Sequence, residues 1–82
     1  MNEININGLL DSKYEAWKEL IDNDDFITIS KSGDTVTITY LEYDTTLSCR
    51  RTFDSLVLEF ESDDMITILE CKPNDFASIV IW

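Results

Sequence analysis

Carboxylates are the only chemically active side chains that this sequence holds in quantity. It has 17 Asp and Glu against six Lys and Arg, a net charge of −11 and no His. Without histidine there is no imidazole base, no Ser–His or Cys–His nucleophile pair and no imidazole metal ligand. Two isolated cysteines and two glycines supply neither a zinc site nor a phosphate-cradling loop. Catalysis by paired carboxylates needs a cleft that separates their pKa values, so we expect neither an enzyme nor a cofactor.

The first acidic group follows the only clear helix and comprises Asp22, Asp24 and Asp25. Its spacing invites a calcium interpretation. An EF-hand loop requires further oxygen ligands and a glycine, however, where this chain has Phe26. We therefore expect no metal, and interpret the group as a solvated helix end and turn or, alternatively, as an acidic contact for a partner protein.

A predicted hairpin carries the second acidic group, which comprises Glu59, Glu61, Asp63 and Asp64. Alternate residues on one strand face are about 6.7 Å apart, of the order of the distance between neighbouring nucleic-acid phosphates. Acids on a sheet face also protect it against aggregation, and both interpretations stand. We expect three further acids, including Glu42 and Asp44, on the same sheet. The candidate partner-binding residues are Asp22, Asp24, Asp25, Glu42, Asp44, Glu59, Glu61, Asp63, Asp64 and Glu70.

The hairpin itself is predicted from alternating apolar and polar residues between positions 56 and 69. A three-residue loop at positions 62–64 would pair Phe60 with Ile66 and Leu58 with Ile68. That register sends all four of these side chains into the core. Glu59 and Glu61 would then form the outer face, opposite Thr67 and Met65.

One amphipathic helix precedes the strands. Ser12 begins a Ser-x-x-Glu capping box, although Asn7 would allow an earlier start, and Asn23 is a plausible left-handed C-terminal cap. The helical stripe predicted to face the sheet comprises Leu9, Leu10, Tyr14, Trp17, Leu20 and Ile21.

The strands are predicted at 26–30, 35–43, 46–53, 56–61, 65–71 and 77–82, after an edge strand or extended lead-in around Ile4 and Ile6. The apolar end of the chain is expected to be an inner strand, with a dimer interface as the alternative. Trp17 and Trp82 are expected in the core. The sequence thus predicts a single compact domain over residues 1–82, of class α+β, with an N-terminal amphipathic helix packed on a mostly antiparallel sheet of five to six strands.

Charge and composition also indicate a compartment and a kind of partner. The sequence shows no signal peptide and no apolar run of roughly 18 residues, so we expect a cytoplasmic protein with Cys49 and Cys71 reduced. A net charge of −11 disfavours direct contact with nucleic acid or an anionic membrane, since both require cationic side chains. A basic surface on another protein is the expected partner.

Short acidic chains without catalytic groups resemble, in type, the inhibitors that phages and mobile elements carry against host restriction or CRISPR nucleases. That resemblance implies a protein acting in the host cytoplasm, whose acids block the nucleic-acid-binding surface of an enzyme. We expect a monomer or a homodimer. One alternative is an immunity or antitoxin-type protein that neutralises a single toxin through a mixed apolar and acidic surface. The other is a structural or assembly protein that dimerises through its C-terminal strand.

Overall fold

The computed structural model describes residues 2–81 as one helix and seven strands, which form two antiparallel sheets. The predicted α+β class, with an N-terminal helix and antiparallel strands, is confirmed, but the strands divide between two sheets. Trp82, predicted in the core, lies outside the described residues. The elements are β1 (Asn2–Asn7), α1 (Asp11–Ile21), β2 (Ile27–Ser32), β3 (Thr35–Tyr40), β4 (Thr46–Arg51), β5 (Leu56–Ser62), β6 (Met65–Cys71), a short 3-10 turn (Pro73–Asp75) and β7 (Ser78–Ile81).

The first sheet has the order β2-β3-β1-β7. Ile4 and Ile6 of β1 are fully buried, because β1 lies between β3 and β7. The expected edge strand or lead-in is therefore an inner strand. The opposite holds for the apolar C-terminal segment, since β7 pairs with β1 alone and lies at the sheet edge. A single sequence does not show which apolar strand gains two neighbours, because both segments carry the same alternating isoleucines.

The second sheet has the order β4-β5-β6, and the chain crosses to it between Leu41 and Thr45. The Leu41 amide donates to the Phe26 carbonyl, and the Thr45 amide donates back to the Leu41 carbonyl. As a result β3 ends at Tyr40, and not at position 43 as predicted. Glu42 and Asp44 therefore lie in this connection, and the prediction that they lie on a sheet is wrong.

The β5–β6 turn differs from the predicted three-residue loop. Ser62 pairs with Met65, so the turn contains only Asp63 and Asp64, whose φ angles are 42° and 67°. Two successive positive φ angles are typical of the type I′ turn, which matches the twist of a hairpin. The register consequently shifts by one residue, and Thr67 is buried opposite Phe60. Because a one-residue shift exchanges the two faces of a strand, Ile66 and Ile68 lie outside the core.

This turn gives a prediction about stability. Asp63→Asn with Asp64→Gly should raise the free energy of unfolding by about 0.5–1 kcal/mol, because Asn-Gly adopts two positive φ angles with less strain. Chemical denaturation would measure the change. Gly33→Ala is the converse control, since Gly33 has a φ of 60° with open space around it, so only backbone strain is added. Equal or lower stability of the Asn-Gly variant would contradict the turn assignment.

The core lies between the two sheets and is closed along one side by α1. Tyr40 and Phe60 meet from opposite sheets, edge to face, with ring centroids 5.5 Å apart. Trp17 and Ile21 of α1 are buried in the same cluster, which confirms Trp17 as a core residue. The helix therefore packs beside strands of both sheets and does not lie across the face of one.

The ends of α1 differ from the prediction. The helix begins at Asp11 with Leu10 as its N-cap, and no side chain caps it, so the box from Ser12 does not form. Its C-cap is Asp22 in the right-handed region, and Asn23 is not among the described residues with positive φ. Leu10 and Leu20 are about half exposed because they lie beside the buried stripe.

The two cysteines are free and lie on strands separated by β5. Two strand spacings amount to about 10 Å, which exceeds the span of a disulfide. Burial, with a smaller contribution from the negative charge of Asp75, raises the pKa of the Cys71 thiol to about 11. Cys71 is 1% exposed, whereas Cys49 is exposed.

We therefore expect one thiol of the native protein to react rapidly with a thiol reagent at neutral pH, because Cys71 is both buried and protonated. The second should react only after unfolding. Absorbance during reaction with a chromogenic disulfide would count the two phases, with Cys49→Ser as the variant that loses the rapid one. Rapid reaction of both thiols in the folded protein would contradict the burial of Cys71.

Candidate partner-binding surface

Three connections meet at one end of the molecule. In the first sheet Tyr40 pairs with both Asn2 and Ile27, so β1 and β2 begin where β3 ends. In the second sheet Thr46 pairs with Glu61, so β4 begins beside the β5–β6 turn. The short crossing between Tyr40 and Thr46 places these strand ends together. The connections at this end are 22–26, 41–45 and 63–64.

We call these three connections the acidic end. Their acidic residues are Asp22, Asp24, Asp25, Glu42, Asp44, Asp63 and Asp64, and none of the three contains Lys or Arg. Within residues 2–81, none of these seven carboxylates lies within 4 Å of a cationic nitrogen. The structure thus brings together seven of the ten candidate residues, which come from three separate parts of the sequence.

Five of the six cations lie toward the opposite end, whereas Lys18 lies in the last turn of α1, beside the acidic end. Lys31, Arg51 and Lys72 lie at or just beyond the far ends of their strands, and Lys13 lies in the first turn of α1. Lys31 forms an ion pair with Asp11, and Lys13 lies 3.9 Å from a carboxylate oxygen of Asp75. Two acids at that end are therefore compensated by ion pairs, whereas, among the residues that the structure describes, Lys18 forms no ion pair within 4 Å with a carboxylate of the acidic end. This asymmetry gives the molecule a strongly directional charge distribution.

Asp24 has a structural role within the acidic end. One of its carboxylate oxygens accepts the Phe26 amide at 2.8 Å, and the other accepts the hydroxyls of Ser62 and Thr67 at 3.4 Å each. It therefore ties the α1–β2 connection to the β5–β6 hairpin. Its carboxylate is half-buried and occupied by these donors, so it positions the acidic end and is less available to a partner than its neighbours.

Asp24→Ala should lower the free energy of unfolding by about 1–3 kcal/mol, because the hydroxyls of two buried residues and one backbone amide lose their acceptor. Asp25→Ala is the matched control, since Asp25 is exposed and has no hydrogen-bond partner among the described residues. Urea denaturation of both variants measures the difference. Equal stability of the two variants would show that the Asp24 contacts do not form.

An aromatic side chain projects from the acidic end. Tyr43 lies between Glu42 and Asp44 and is 82% exposed. Tyrosine is enriched among the residues that dominate binding energy, because it buries a large area and keeps a hydroxyl for hydrogen bonding. The sequence prediction missed Tyr43 because it continued β3 as far as this residue. An exposed tyrosine between two carboxylates suits contact with a basic surface.

The other three candidate residues lie on the outer face of the second sheet. Glu61, Glu59 and Glu70 alternate with apolar side chains there and have no ion-pair partner within 4 Å among the described residues. Ile66 is opposite Glu61 and is 59% exposed, and Ile68 is opposite Glu59 and is 50% exposed. Glu61 and Ile66 adjoin the turn of the acidic end, so the two regions are continuous. The strand register predicted from the sequence placed both isoleucines in the core, so their exposure was missed.

The part of the chain that the structure describes contains neither a metal-ion cluster nor a membrane-spanning helix. Among residues 2–81, no three Cys, Asp or Glu side chains are placed to hold a metal ion. In the same range, the helix is too short and too polar to cross a membrane. The carboxylates lie on exposed loops and a flat sheet face, where they can attract and contact a cationic surface.

Comparison with known proteins gives no assignment: no family model, curated protein or solved structure matches this chain.

Proposed function

We propose that this chain is a small inhibitor that binds a basic surface of a partner enzyme, in the region where that enzyme holds nucleic acid. The observation that carries the proposal is the acidic end, where seven carboxylates from three connections converge and, within residues 2–81, none has a cationic nitrogen within 4 Å. A partner groove built to hold phosphates presents Lys and Arg in quantity. The carboxylates would occupy that groove in place of phosphates and so exclude the nucleic acid.

Electrostatics favours this mode of action. Fields from exposed charges extend about 10 Å at 0.1 M salt, which is enough to steer a small protein toward a basic groove. Complementary fields raise association rates and disfavour partners of like charge. The acids therefore also account for specificity, because they repel nucleic acid and other acidic proteins. Tyr43 supplies an anchor that salt does not screen.

Affinity capture from host lysate at low salt tests the proposal. A resin carrying the native chain should retain a nucleic-acid enzyme, which a salt gradient or added DNA or RNA releases and mass spectrometry identifies. A second resin carries a variant in which acids of the acidic end are neutralised and should retain much less. Retention of a toxin that nucleic acid does not displace would favour the immunity-type alternative. Equal retention on both resins would overturn the role of the acidic end.

A second candidate function is assembly through β7. This edge strand, Ser78–Ile81, carries no charge, and Val80 and Ile81 are 44% and 42% exposed. Uncharged edges are sites of strand pairing between chains. Antiparallel pairing of two β7 strands would place the two acidic ends at opposite ends of a dimer, which limits their repulsion. A mass that rises with concentration, and that Val80→Lys returns to the monomer, would support this candidate.

A further inference from the structure

The outer face of the second sheet combines apolar and acidic side chains in a regular grid. Across the strands the rows are Thr46, Glu61, Ile66, then Ser48, Glu59, Ile68, then Arg50, Val57, Glu70. Neighbours in a row are about 4.8 Å apart, and rows on one face are about 6.7 Å apart. An exposed isoleucine column thus runs beside a glutamate column.

Solubility does not explain this face. Glutamates alone would keep a sheet face soluble. Beside them, however, Ile66 is 59% exposed and Ile68 is 50% exposed. Threonine would satisfy the same strand positions with less exposed apolar surface. Paired apolar and charged columns are instead what a binding surface needs, with one column for burial and the other for orientation.

We infer that this face docks an amphipathic basic segment of a partner protein, one whose apolar side chains cover Ile66 and Ile68 while its Lys or Arg side chains meet Glu59 and Glu61. Charge complementarity decides the occupant. A second copy stacked on this face about a two-fold axis would bring glutamates against glutamates, which is repulsive. Nucleic acid would meet the same glutamates with its phosphates.

This inference rests on the proposed function in one respect, because it gives the basic partner an additional apolar contact. It also adds a property that the acidic end alone does not have. Contacts between apolar side chains are not screened by salt, so part of the binding should persist at salt concentrations that suppress contacts between exposed charges.

Two synthetic peptides of equal charge test the face directly: an amphipathic leucine–lysine peptide and an oligolysine. The native chain should bind the leucine–lysine peptide more tightly, and titration should shift the methyl resonances of Ile66 and Ile68. Ile66→Thr with Ile68→Thr should weaken that binding about tenfold and leave oligolysine binding unchanged. Glu59→Gln with Glu61→Gln should weaken the binding of both peptides. Threonine keeps the β-branched shape, and thermal unfolding confirms that each variant folds.

Leu10→Gln with Leu20→Gln is the matched control, because it removes two half-exposed leucines, one at the N-cap of α1 and one within the helix, and should leave both affinities unchanged. Equal affinity of the native chain for the two peptides, or no effect of the isoleucine variant, would overturn the inference. Self-association of the native chain that is lost in the isoleucine variant would also overturn the inference, because a second copy of the chain would then cover the face. Binding to the captured partner separates this inference from the proposed function. If the partner no longer binds the variant with neutralised acidic-end carboxylates but still binds the isoleucine variant, this inference alone is refuted. No loss with either variant would refute the proposed function as well.

Discussion

Neutralising four carboxylates of the acidic end should weaken binding to the partner about 30-fold at low salt. The substitutions are Asp22→Asn, Asp25→Asn, Glu42→Gln and Asp44→Asn, all at exposed positions. Each exposed charge pair contributes about 0.5 kcal/mol, so four contribute about 2 kcal/mol, or roughly 30-fold in Kd. The difference should shrink as salt rises toward 1 M, where the Debye length falls to about 3 Å.

A matched variant separates position from total charge. Asp11→Asn, Glu15→Gln, Asp34→Asn and Asp54→Asn also remove four exposed carboxylates, but from the first half of α1 and from the opposite end. Both variants change the net charge equally, so a purely colloidal effect would weaken binding by the same factor. We expect the control variant to lose less than threefold. Equal losses would show that no particular end of the molecule makes the contact.

The largest expected effect on stability comes from Phe60. Phe60→Ala should lower the free energy of unfolding by about 3–5 kcal/mol, because it leaves a cavity between the sheets and removes the edge-to-face contact with Tyr40. The total stability expected of an 82-residue chain is about 4–12 kcal/mol. The variant should therefore lose a large part of its stability and unfold at a lower temperature and a lower urea concentration, as circular dichroism would show.

The chain offers a control with the same chemical change. Phe53 is 96% exposed in the β4–β5 connection, and Phe53→Ala should change the free energy of unfolding by no more than about 0.5 kcal/mol. The contrast between the two phenylalanines depends entirely on the packing of one sheet over the other. Similar values for both would contradict the two-sheet core.

Local patterns predicted the type of each element more reliably than its position. The 3.6-residue spacing correctly placed Trp17 and Ile21 on the buried face of a helix, and alternation identified the strands. Which strands share a sheet depends on packing between distant segments. Nothing local distinguishes the β3–β4 connection from a hairpin turn, although it crosses between the sheets.

The error at the β5–β6 turn shows how one residue alters a functional prediction. Asp-Asp is a poor match to the Asn-Gly signature of a two-residue turn, so the pattern favoured a longer loop that paired isoleucine with leucine and phenylalanine. The structure instead buries Thr67, whose hydroxyl donates to Asp24. Apolar pairing alone missed this polar contact, and with it the exposure of Ile66 and Ile68.

The location of the candidate residues was predicted in part, and their contact with a partner stays a prediction. The ten acidic residues named from the sequence all lie on the surface except for the half-buried Asp24 and Glu59. Their convergence at one end follows from the sheet order and the direction of α1, which a single sequence does not encode locally. Tyr43 and the two exposed isoleucines were missed because apolar residues in strand-like runs are normally counted toward the core.

Displacement of nucleic acid from the captured enzyme tests the central claim most directly. The enzyme is loaded with a fluorescent oligonucleotide, and fluorescence polarisation is followed as the native chain is added. Occupation of the nucleic-acid groove by the acidic end predicts stoichiometric release by the native chain, and release by the four-carboxylate variant of the acidic end only at roughly 30-fold higher concentration. Simultaneous binding of the oligonucleotide and the native chain to the enzyme would contradict it.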